Sequence, residues 1–210
     1  MDIIQFLVDE LNNITEPTEE DVIIELPFSV VKQDCYNIIN SICGMDLNEH
    51  NIIFHLNAEN NWVDIPCDIF LSSGDYCTNA EIVQCWHECA HILQDNIKNL
   101  EETSPRLWEL LPSVFEEICI QFYNLKFEKY RSNQLRQFVA VALIDQELLQ
   151  NGRENLIPIV EHIQNFCKVN ITPEMLSHLE PGSRYVGNYW GYVYCRYLAK
   201  LFCNKYNLYG

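Results

Sequence analysis

The chain has 210 residues, enough for one compact domain with a sizeable core or one domain with a small appendage. Hydrophobic residues make up 48% and charged residues 20%, a balance that excludes an intrinsically disordered chain. A formal net charge of -17 argues against nucleic acid and anionic membrane surfaces as partners, since both need clustered Lys and Arg.

The opening Met1-Asp2-Ile3-Ile4-Gln5-Phe6 has no basic segment ahead of an apolar run, so no signal peptide is expected. No stretch reaches the roughly 18 apolar residues of a membrane span. The ten cysteines contain no C-x-x-C pair and read as reduced, mostly buried thiols of a cytoplasmic protein. Ile3 to Leu11 has helical spacing, and Glu16-Pro17-Thr18-Glu19-Glu20 ends it. Val22 to Leu26 is expected as a strand closed by Pro27, and Val30 to Ile42 as a helix stopped at Gly44. Asn51 to Leu56 and Trp62 to Leu71 read as strands around a turn at Asn57 to Asn61.

After Ser72-Ser73-Gly74-Asp75 the pattern becomes helical. Thr78 or Asn79 caps a helix expected to reach about Lys98. Ser104-Pro105 opens another that passes Phe122, with a kink expected at Pro112. Further helices are expected over Leu135 to Gln150, stopped near Gly152, over Glu154 to Cys167, from Thr172-Pro173, and over Arg184 to Lys205. The expected fold class is α+β, mostly helical. A single domain is expected, with a helical and strand segment over 1–45, a small sheet over 46–75 and a helical core over 76–210.

The chemistry concentrates in His87-Glu88-Cys89-Ala90-His91. Two histidines four apart on a helix leave the same face one turn apart, so both imidazoles can reach one zinc ion. Glu88 stands beside the first ligand and can act on a water at the metal without taking a coordination position. A catalytic zinc site needs a third protein ligand and keeps one position open. No third histidine follows at the metzincin spacing. Acids on the following helix are the candidates. Glu109 is the expected ligand, with Glu116, seven residues on and on the same helical face, orienting a histidine; the alternative places Glu116 on the metal. Glu117 points well away.

Three stretches carry a family resemblance: Glu81 to His91, Glu109-Leu110-Leu111-Pro112-Ser113-Val114-Phe115-Glu116-Glu117, and Tyr185-Val186-Gly187-Asn188-Tyr189-Trp190-Gly191-Tyr192-Val193-Tyr194 with His178 upstream. Over about residues 80 to 200 the chain resembles the thimet oligopeptidase and oligopeptidase F family of zinc metallopeptidases, a branch of the gluzincins. The chain has Ala90 where that family usually has glycine, a shorter gap from His91 to Glu109, and no counterpart of the family's large N-terminal helical half. It resembles a minimal catalytic core. The resemblance implies a zincin-like fold and a ligand glutamate ahead of Pro112-Ser113. It also implies that Tyr185, Tyr192 and His178 contact the substrate and the tetrahedral intermediate, with Tyr189 contacting substrate. On physical grounds, Tyr185, Tyr189 and Tyr192 at i, i+4 and i+7 would share one helical face, as oxyanion donors or as a core stripe.

The expected function is hydrolysis of peptide bonds in a peptide or protein substrate, with zinc held by His87, His91 and Glu109 and with Glu88 as general base. Two alternatives stand beside it. One is a non-catalytic zinc- or peptide-binding protein that keeps the peptidase fold. The other is an aminopeptidase-type gluzincin, which Leu107-Trp108-Glu109 and Ser113-Val114-Phe115-Glu116 also resemble.

Overall fold

A computed structural model describes residues 2–15, 17–97, 107–181, 183 and 186–206. Along the chain the elements are α1 (Ile3–Asn13), β1 (Glu25–Pro27), α2 (Phe28–Cys43), β2 (Ile53–His55), β3 (Trp62–Asp64), β4 (Asp68–Phe70) and β5 (Tyr76–Thr78). They continue as α3 (Asn79–Asn96), α4 (Leu110–Phe122), α5 (Glu128–Asn151), α6 (Leu156–Cys167), α7 (Pro173–Ser177) and α8 (Trp190–Tyr206). The protein is α+β and mostly helical, with small sheets. Among the described residues no helix is long and apolar enough to cross a membrane. The described residues form two compact units: one draws on Met1–Asp21, Ser104–Glu109 and Phe127–Tyr197, the other on Val22–Thr103, Leu110–Lys126 and Leu198–Gly210.

In the first unit α1 and α6 pack on α5. Leu7 and Leu11 of α1, Val139, Ala140, Ile144 and Leu148 of α5, and Ile163 and Cys167 of α6 form its core with Tyr189 and Val193. Burial of such apolar side chains drives this packing. Helix α5 starts seven residues before the expected Leu135. The two carboxylate oxygens of Asp21 accept from the backbone N–H groups of Lys129 and Tyr130, both at 2.9 Å, and so satisfy two orphan donors of its first turn. A cap more than a hundred residues away in sequence leaves no local signal.

The second unit is built around α3, which packs on α4, α2, β5 and β3. Strand β1 pairs antiparallel with β5. The other sheet has the order β2-β4-β3, with β2 parallel and β3 antiparallel to β4. Phe28 and Tyr36 of α2 pack on Phe54 of β2.

Several sequence expectations are corrected here. Trp62 to Leu71 is a hairpin, not one strand, because it turns over residues 65–67, where Pro66 cannot supply a ladder N–H. Val22 to Ile24 is not in a strand. The Asn79 amide takes its backbone groups instead, donating to the Val22 carbonyl at 2.7 Å and accepting from the Ile24 N–H at 2.9 Å. The Ser104-Pro105 start signal lies outside the described residues. Residues 107–109 are not α-helical, and α4 begins at Leu110. Pro112 is therefore in the first turn, where its missing N–H has no intrahelical partner to lose, and no kink is needed to accommodate it. Gly44 ends α2 as expected, with a left-handed φ of 68°.

Candidate metal centre

Helix α3 is started by its own first turn. Glu81 Oε2 accepts from the Thr78 N–H at 2.7 Å and from the Thr78 hydroxyl at 2.8 Å. This is the reach-back half of a capping box and sets the helix phase four residues before Cys85. Ile82, Cys85, Trp86, Cys89, Ala90, Ile92 and Leu93 are fully buried, so the helix lies inside the unit. The motif is therefore held by packing on several sides.

The imidazoles of His87 and His91 converge. Their Nε2 atoms are 3.2 Å apart, with the rings steeply inclined at 78°. Two nitrogens each at about 2.05 Å from a tetrahedral zinc ion are expected about 3.3 Å apart, so the spacing suits one shared ion. Glu88 completes a His87, Glu88, His91 group whose ligand atoms all lie within 4.8 Å of one another, the one such group among the described residues. Glu88 and His91 are buried and His87 is nearly so.

Glu116 of α4 stands behind His87. Its Oε1 is 2.7 Å from His87 Nδ1, and both side chains are largely buried. A carboxylate at this distance favours the neutral tautomer with the proton on Nδ1, in which the Nε2 lone pair is turned toward His91. That is the tautomer a metal ligand needs. The two ring nitrogens point in divergent directions, so a carboxylate on Nδ1 is across the ring from an ion on Nε2. In this arrangement Glu116 Oε1 engages the outer nitrogen of His87. Gln84, one turn before Glu88, donates to Glu88 Oε1 at 2.5 Å. The sequence reading passed over Gln84, although its i, i+4 spacing to Glu88 was the available signal.

The cysteines of α3 face elsewhere. Cys85 and Cys89 are offset by two residues from His87 and His91, about 200° around the helix. A hydrogen bond to Cys89 and then burial push the Cys85 thiol well above its ordinary range; a hydrogen bond to Cys35, then burial, does the same for Cys89. Burial raises Cys119 likewise. These buried thiols are apolar packing groups, and those of α3 lie on the side of the helix away from the imidazoles.

The remaining sequence candidates belong to the first unit. Glu109 is a buried turn residue immediately before α4. Tyr185 lies outside the described residues. The expected single helix over Arg184 to Lys205 is corrected: residues 186–189 are turns and α8 starts at Trp190. Gly187 has φ of 76°, which helical backbone cannot adopt, so the helical backbone that follows does not extend back past it. The Tyr189 and Tyr192 rings meet, with centroids 5.1 Å apart. Phe138 stacks on Tyr192 at 5.6 Å, and exposed His178 lies 6.2 Å from buried Tyr189. The buried carboxylate of Asp145 accepts from the Gly187 N–H at 2.8 Å and the Tyr189 N–H at 3.3 Å, holding this turn against α5. Asp145 is a further residue the sequence reading missed.

No protein-family model matches the chain, and no curated protein or solved structure matches it either.

Proposed function

We propose that the chain is a zinc-dependent metallopeptidase of zincin-like type that cleaves peptide bonds. The observation that carries the proposal is the 3.2 Å approach of the His87 and His91 Nε2 atoms, with Glu116 on the far nitrogen of His87. Two imidazole nitrogens converging at this separation are a zinc donor pair. When bound, zinc supplies a Lewis acid that lowers the pKa of water and polarises the scissile carbonyl. Glu88 is next to the first ligand, buried, and held by Gln84. It accepts the water's proton and returns it to the leaving amine. Glu116 keeps the His87 proton on Nδ1 and steadies the developing charge. Glu109 is the third ligand proposed from sequence, and the roles of Tyr185, Tyr189, Tyr192 and His178 rest on the family resemblance alone.

The test is Glu88→Gln. Zinc uptake equal to wild type with peptide cleavage lowered by at least about a hundredfold is expected, because general acid–base catalysis contributes roughly 10²–10⁴-fold. Full activity in this variant would remove the base assignment.

A second reading has its own support. The same 3.2 Å separation accommodates a hydrogen bond from His91 Nε2–H to the His87 lone pair. The cluster would then be a structural polar pair in a non-catalytic protein. Failure to load zinc at micromolar concentration, with both histidines intact, would favour this reading over the first.

A further inference from the structure

A row of rings crosses the open face of the three-stranded sheet. His55, Phe70 and Trp62 are directly opposite one another in register. The His55 and Phe70 rings stack at 4.3 Å with planes within 10°, and Phe70 and Trp62 at 4.0 Å with planes within 3°. The period of two puts Ile53, Asp68 and Asp64 in the next row of the same face. Asp68 Oδ1 is 2.7 Å from His55 Nε2. The alternate residues Phe54, Val63 and Ile69 take the other face, where Ile69 is fully buried.

This face is open and negatively charged. Phe70 covers one side of the Trp62 indole, yet Trp62, on the edge strand β3, is 46% exposed. Asp64 is exposed as well. From Gln33 to Ile97 the chain carries ten Asp or Glu and no Lys or Arg. The preceding cation, Lys32, is committed to the other side of the sheet, with its Nζ 5.0 Å from the Phe54 ring and 5.3 Å from Tyr36. No Lys or Arg from this whole stretch balances the carboxylates of the face, and the one imidazole on it, His55, is paired with Asp68 and not with Asp64.

An open indole with a carboxylate two residues along the same strand, about 7 Å away, matches an arginine side chain in both chemistry and reach. The guanidinium is planar, stacks on aromatic rings and pairs with carboxylates. We propose that this sheet face is a binding site for an arginine side chain of a basic peptide, stacked on Trp62 and paired with Asp64. The site does not depend on the metal. Because β3 packs on α3, it would also select arginine-bearing substrates if the peptidase reading holds.

Binding is read by calorimetry on the full chain in the presence of a chelator and at low salt, where no cleavage can intervene. The probes are a blocked alanine peptide carrying two arginines and the same peptide with neutral citrulline at both positions. The arginine peptide is expected to bind at least about fivefold more tightly, with the advantage fading as salt rises. Trp62→Leu and Asp64→Asn should each remove most of that advantage, and Glu154→Gln, an exposed acid of the other unit, should leave it intact. Asp64→Asn changes no packing, so it reads the site even if the Trp62 variant loosens the sheet. Equal binding of the two peptides, or wild-type affinity in Asp64→Asn, would overturn the proposal. Neither result touches the zinc assignment, which zinc uptake reads separately.

Discussion

Glu116 and Glu88 are both buried glutamates of the second unit, and their surroundings separate their roles. Glu116 meets the outer nitrogen of His87 from α4, whereas Glu88 shares α3 with the imidazoles and is held by Gln84. Replacing Glu116 by glutamine keeps an acceptor for Nδ1 but removes the negative charge behind the ring. Zinc affinity should fall about 10–100-fold, as for other residues that support a metal-binding histidine. Competition with a chromophoric chelator measures this directly. Unchanged affinity would mean that His87 is oriented by packing alone.

At the scale of elements, several boundaries are set by distant side chains. Asp21 starts α5, Asn79 takes the place of a strand partner for Val22 and Ile24, and Asp145 holds the turn before α8. Asp145→Ala leaves the Gly187 and Tyr189 N–H groups without their acceptor and should cost about 1–3 kcal/mol in urea unfolding. The pH dependence has a definite sign. Burial raises the Asp145 carboxyl above its ordinary value of 3.8, against the two backbone donors and Arg153, which lower it. The folded chain thus holds this proton more tightly than the unfolded chain. The stabilisation is fully present below about pH 3.8 and is lost as pH rises through the higher folded value. The stability of wild type relative to Asp145→Asn should therefore fall from about pH 3.8 upward and then level off. A difference that grows with pH would show that the backbone donors outweigh burial.

For the molecule as a whole, zinc held by His87 and His91 would act first on α3 and on α4 packed against it. Zinc at a hundredfold excess over its dissociation constant should add about 2.7 kcal/mol to the stability of the state that binds it. Hydrogen exchange locates the effect. Backbone amides of α3 and α4 should slow most on zinc addition and recover with chelator. Slowing spread evenly through both units would contradict a site built on α3 and α4.

The features legible from sequence are those governed by neighbours within a turn or two. Spacing set the amphipathic α1 and α2, Gly44 marked a helix end, and Thr78 with Glu81 marked the start of α3. The four-residue step from His87 to His91 placed two imidazoles on one face before any tertiary contact was known. The mostly helical α+β class followed from the same local periodicities. Long-range contacts decided the rest. The start of α5 waits on Asp21, Val22 to Ile24 on Asn79, and the turn before Trp190 on Gly187 and Asp145, so α8 begins later than periodicity suggested. Which nitrogen of His87 is turned toward His91 also depends on Glu116, twenty-nine residues away. A helix or turn records its own backbone preferences in its sequence, but a buried donor is satisfied by whichever acceptor the fold brings within 3 Å, and only tertiary packing decides which that is.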